Sequence, residues 1–269
     1  MLRQPAVADQ FYPGNKRRLL ETVAALTPQL TGADKVKALA VIVPHAGYVY
    51  SGRTAAATFA RVEIPEDVVI LGPNHHGLGA RLAIMSRGSW AMPMGEVPLN
   101  TTLSELIKAK NPAVSEDAEA HRYEHSLEVQ IPFLQAAQTR LSISPLAVGH
   151  LSLDQAREAG RCLAAAVEEF ARPVLLVAST DMTHYQDRES ASRQDRLALE
   201  RIRLLDPEGL YQTVLEHGIS MCGFIPTTIV LTAALELGAT SASLVEYTDS
   251  GATSGDTSRV VAYAGLIIS

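Results

Sequence analysis

VKALAVIVPHAGYVYSG (residues 36–52) is followed at 67–77 by DVVILGPNHHG, and the reading of these two stretches decides the fold. Each opens as a near-continuous apolar run rich in Val and Ile, the pattern of a strand covered on both faces. Between them, SGRTAAATFARV (51–62) offers Ser51 as a helix N-cap and a small-residue face that can lie close on a sheet. The unit reads as βαβ. Both runs end in Pro and then His, where a plain turn would use Gly, Asn or Asp. Ligands of an open α/β sheet bind outside the carboxyl ends of its strands, so His45, His75 and His76 stand where chemistry is expected.

The alternation continues outward. Residues 80–100 alternate in polarity with Gly and Pro punctuation and are expected to form short antiparallel strands or a hairpin. TTLSELIKAK (101–110) and HSLEVQIPFLQAAQ (125–138) read as helices, the second bent or started near Pro132, and LSISPLAVG (141–149) as a strand. SLDQAREAGRCLAAAVEEFA (152–171) is an amphipathic helix capped by Ser152, and PVLLVAST (173–180) is the next strand. A charged helical stretch (189–217), an apolar helix ended by Gly238, and the strands SLVEYTD and RVVAYAGLII complete the chain. With no repeat, linker or low-complexity segment, the expectation is one α/β domain with a mixed sheet.

Composition bounds the function. The chain has 269 residues, of which 47% are hydrophobic and 19% charged, enough to bury a full core. A formal charge of -6, without a Lys/Arg cluster beyond the short KRR at 16–18, argues against nucleic-acid binding. No apolar stretch approaches a membrane span and the N-terminus lacks a signal peptide's apolar core, so a cytoplasmic location is expected. Cys162 and Cys222 form no C-x-x-C and are expected as reduced thiols.

Three strand ends carry polar residues: His45 on the first, Asn74, His75 and His76 on the second, and Asp181, Thr183 and His184 after PVLLVAST. They are expected to share one crevice. Cys222 precedes an apolar helix whose dipole would favour its thiolate, and two imidazoles with one thiolate make a three-ligand metal site with open positions. The plainer reading of Cys222 is a small buried cap residue; Cys162, mid-helix, is expected to pack in the core. In AHRYEHSLEVQIP (120–132), His121 and His125 are four apart but do not form H-E-x-x-H. The preferred reading makes Glu124 and His125 a loop-to-helix junction facing the crevice, with His125 a polar wall residue supported by Ser126 or Glu128. His150 and His217 look incidental.

Taken together, FYPG, VPHAGYVYSG, LGPNHHG, EHSLEVQIPFL, STDMTHY and MCGFIP span nearly the whole chain in this order, and in them the sequence resembles the Memo family, also called AmmeMemoRadiSam system protein B. The resemblance implies a single three-layer α/β/α domain over 1–269 with a central mixed, largely parallel sheet, similar to the class III extradiol ring-cleaving dioxygenases. It implies His45, His75 and Cys222 as metal ligands and His184 as an acid/base with Asp181 beside it; Asn74, His76 and His125 are expected to line the crevice as substrate-binding residues. It also implies a radical SAM protein and an AMMECR1-like protein as partners. The ring-cleaving enzymes complete two histidines with a carboxylate, while cysteine stands here; a softer thiolate shifts preference toward copper or zinc beside Fe(II), and puts extradiol cleavage in doubt. Three functions remain open: a metal-dependent redox enzyme, a non-catalytic binding or accessory protein, and a hydrolase with Cys222 as nucleophile.

Overall fold

The computed structural model describes residues 1–30 and 35–269. In chain order the strands are β1 (Leu2–Arg3), β2 (Ala40–Val43), β3 (Asp67–Pro73), β4 (Leu82–Ile84), β5 (Ser89–Trp90), β6 (Val97–Pro98), β7 (Ser115–Glu116), β8 (Ser142–Val148), β9 (Val174–Ser179), β10 (His184–Gln186), β11 (Ala242–Asp249) and β12 (Val260–Ile268). The helices are α1 (Lys16–Leu26), α2 (Tyr48–Ala60), α3 (Thr101–Lys110), α4 (Ile131–Ala137), α5 (Leu153–Phe170), α6 (Arg188–Arg203), α7 (Pro207–Glu216), α8 (Phe224–Glu236) and the single turn α9 (Gly251–Ser254).

The main sheet runs β10-β12-β2-β9-β3-β8-β4-β7, with β11 on β12. Its centre is parallel: β2 with β9, β9 with β3, and β3 with β8. Antiparallel pairs flank this centre, β12 against β2 and β4 against β8, and the edge strand β7 pairs parallel with β4. Successive residues of each central strand feed opposite faces, as a period of two requires. Ala40, Ile42, Val69, Leu71, Leu176 and Ala178 pack in one cluster with residues of α3, α5, α7 and α8. Val41, Val43, Val68, Ile70, Leu175 and Val177 pack in another with residues of α1, α2 and α4. The result is the expected three layers around a mixed sheet. β1, β5 and β6 form a small separate sheet.

Two local expectations change, those for Ser51 and Cys162, while the helix expected to start near Pro132 does start there. α2 begins at Tyr48 after Gly47, so Ser51 lies inside the helix, where its hydroxyl donates to the Ala46 carbonyl instead of capping. The segment at 125–138 is a 3-10 turn (Glu128–Gln130) running into α4, with Pro132 in the helix's first turn, where its missing N–H leaves no bond broken. Cys162 is only half-buried on α5, and its Sγ contacts the exposed Glu158 carboxylate at 3.5 Å. By contrast Ser152 caps α5 as read, with a full capping box through Gln155.

Candidate metal centre

Parallel pairing puts the carboxyl ends of β2, β9 and β3 side by side, with Val43 in register with Ser179. His45 therefore emerges next to Thr180 and Asp181, and His75 leaves the neighbouring strand on the same edge. The segment Glu124–Ser126 closes the gap from below. Gly72 permits its approach, since a Cβ there would stand 2.5 Å from the Ser126 hydroxyl oxygen. Gly223 does the same for the turn that carries Cys222, where a Cβ would stand 2.4 Å from the Ser179 carbonyl oxygen.

These elements bring His45, His75 and His125 together, each offering a ring nitrogen within 4.8 Å of the others. The ring of His45 meets those of His75 and His125 edge-on at 5.2 and 5.4 Å, and His75 stacks on His125 at 4.5 Å. His75 Nδ1 lies 2.9 Å from a Glu124 carboxylate oxygen, and His125 Nδ1 lies 3.4 Å from the same atom. A carboxylate can only accept, so His75 holds its proton on Nδ1 and turns Nε2 toward the group. Glu124 also accepts the backbone N–H groups of His75 (2.6 Å) and Ser126 (2.8 Å). Burial opposes its ionisation, but the His75 hydrogen bond and charge, the Ser126 N–H and the His125 charge together outweigh it and bring the carboxyl down to about 2. Burial and then the His75 charge lower His45 to about 3; burial and then the His45 charge lower His125 to about 4. Both rings are neutral at physiological pH, the state in which imidazole binds metal.

Cys222 touches this group without belonging to it: its Sγ is 3.2 Å from His45 Nε2 and accepts the Asp181 backbone N–H at 3.3 Å. Burial, and next the Asp181 charge, raise the thiol well above its ordinary value. The expected lowering by the α8 dipole is thus reversed, because desolvation of a thiolate outweighs a helix terminus. Asp181 is itself buried; its carboxylate accepts the His45 backbone N–H at 2.7 Å, and burial raises its carboxyl above the usual range.

The histidines line an open crevice of about 400 Å³ with Phe11, Tyr50, Asp181, His184 and Tyr185. His184 Nδ1 donates to the Ser220 carbonyl at 2.8 Å, leaving Nε2 free to accept. Two residues expected on these walls are not among those lining the crevice. His76 is exposed and its Nε2 bonds the Tyr123 carbonyl at 3.0 Å, while the Asn74 amide nitrogen bonds the Leu78 carbonyl at 2.6 Å. Glu124 was legible only as a junction residue; its carboxylate joins two histidines because the chain folds back 49 positions later. Phe11 and Tyr50 carried no sequence signal beyond belonging to FYPG and GYVYSG.

Fold and site together define an α/β protein with a three-histidine group, able to hold a metal ion, in a crevice at the strand ends. The family model for Memo-like proteins matches residues 3–267. A MEMO1 family protein of Aquifex aeolicus is 42% identical over 99% of this chain and 98% of its own, and one of Methanopyrus kandleri is 38% identical over 99% of both. The chain belongs to the Memo family. A crystal structure of an uncharacterized Escherichia coli K12 protein shares the fold, with a TM-score of 0.59 at 17% identity, covering 84% of this chain and 98% of that one.

Proposed function

We propose that this crevice holds one metal ion, Fe(II) or copper with zinc as the further candidate, and that the protein is a metal-dependent oxidoreductase. The observation that carries the reading is the convergence of His45, His75 and His125, with Cys222 Sγ at 3.2 Å from His45 Nε2. The donors fit such an ion: imidazoles and a neighbouring soft sulfur suit these metals, and the group leaves open space on its crevice side. A bound metal would supply Lewis acidity and, as iron or copper, electron transfer. The chain's own residues handle the rest. His184 Nε2 takes a proton from a substrate in the crevice, Asp181 holds the β9 end in place through the His45 N–H, and Phe11 and Tyr185 wall the substrate in. The raised Cys222 thiol weakens the reading of this residue as a hydrolytic nucleophile. A radical SAM protein and an AMMECR1-like protein remain the proposed partners, supported by family membership alone, and co-purification tests them.

The test is metal content after purification without oxygen. His45→Ala and His75→Ala should lose most bound metal, Cys222→Ala should lower it, and His184→Ala should retain it. Equal loss in His184→Ala and His75→Ala would overturn this division of roles.

A further inference from the structure

The His75 ring is oriented by a hydrogen bond to a carboxylate, but the His45 ring is held by a hydroxyl. Its Nδ1 lies 2.9 Å from the Ser179 hydroxyl oxygen, a group that can either donate or accept. The direction follows from the neighbours. The Gln130 amide bonds the Pro44 carbonyl at 2.9 Å and Ser179 Oγ at 2.9 Å. A carbonyl oxygen only accepts, so the amide nitrogen must face Pro44, and the same nitrogen then donates to Ser179. Ser179 Oγ in turn lies 2.6 Å from the Ser126 carbonyl, which also only accepts and so takes the single hydroxyl proton. What Ser179 presents to His45 is a lone pair.

We infer that Gln130, Ser179 and the Ser126 carbonyl form a directed hydrogen-bond chain that fixes His45 as the Nδ1–H tautomer, turning its Nε2 lone pair toward the donor group. Ser179 and Gln130 are positioning residues. All three residues are fully buried. The chain also ties β2, β9 and the Glu124–Ser126 segment to one another at the point where their side chains must converge. The inference rests on the metal-site reading for its purpose, but its geometry can be tested without metal.

In metal-free protein at neutral pH, long-range 15N–1H correlation of the histidine rings should show His45 protonated at Nδ1. In Ser179→Ala that proton has no acceptor, and His45 should shift to the Nε2–H form, donating to Cys222 Sγ. Ser179→Thr keeps the hydroxyl and should keep the native tautomer. A Zn(II) titration should then show affinity about 10- to 100-fold weaker in Ser179→Ala and near wild type in Ser179→Thr. His45 found as Nε2–H in the unaltered protein, or unchanged in a folded Ser179→Ala, would overturn the inference. If the tautomer behaves as described and no metal binds to any form, the hydrogen-bond chain stands and the metal reading fails. The wild-type measurement alone decides the case should Ser179→Ala not fold.

Discussion

At the scale of single residues, the buried His45 and His121 and the half-buried His125 make this protein acid-sensitive. Burial lowers His45 to about 3, His125 to about 4 and His121 to about 4, from an ordinary value of 6.5. Because the unfolded chain binds these protons first, the stability they contribute is present above pH 6.5 and is lost as pH falls toward their folded values. Three such groups set an upper slope on the order of 4 kcal/mol per pH unit near pH 5. Urea midpoints measured between pH 8 and 5 should fall steeply below 6.5. His121→Phe should flatten the slope by up to a third, since the fully buried His121 ring meets Trp90 edge-on at 5.8 Å and an apolar ring of similar size can take its place. An unchanged slope would mean that His121 is not a neutral group at low pH. The two thiols give a second prediction at this scale. Burial raises both, Cys222 far more than Cys162, so metal-free protein near pH 7 should alkylate slowly, and at Cys162 first. Peptide mass spectrometry after iodoacetamide reads the order; faster labelling of Cys222 would show a stabilised thiolate there.

Among the elements, the 3-10 turn before α4 organises the site's floor through one fully buried side chain. The Glu128 carboxylate accepts from the Ala6 and Val7 backbone N–H groups, from the Tyr12 hydroxyl and from Arg3, whose guanidinium also donates to the Glu124 and His121 carbonyls. It thereby ties the N-terminal segment to the turn that carries Glu124 and His125. Removing one partner of such a pair leaves the other charged and dry. Glu128→Ala should cost about 3–5 kcal/mol in denaturant unfolding. A loss under about 1 kcal/mol would mean that the segment relaxes and rehydrates Arg3. Glu128 was expected as a support for His125, but its carboxylate bonds residues 3–12 instead, because nothing in FYPG or its surroundings reports a contact over a hundred positions away.

For the whole molecule, a metal bound between the ends of β2 and β3 and the Glu124–Ser126 segment would join parts of the chain that only the folded state assembles. Binding should therefore raise thermal stability, by about 2.7 kcal/mol at a hundredfold excess over the dissociation constant. Differential scanning calorimetry with and without Zn(II) should show the shift in the wild type and little in His45→Ala. A shift of equal size in both would place the bound ion elsewhere. No described helix is long and apolar enough to cross a membrane, in keeping with the hydropathy of the sequence.

Sequence by itself determined the elements and their edge of the sheet. Runs such as AVIV and DVVILGP can only be strands buried on both faces, and the Pro-His endings mark where those strands deliver polar residues. Tertiary structure alone decided which of those residues meet. The strands follow the chain as β2, β3, β8, β9 but lie side by side as β2, β9, β3, β8, and that order arises from long-range packing rather than from local pattern. It places Ser179 behind His45, lets Glu124 hold His75 while His76 turns to the surface, and draws His125 from the wall into the donor group. Burial, likewise a property of the assembled fold, kept the Cys222 thiol protonated where a helix terminus read in isolation would have ionised it.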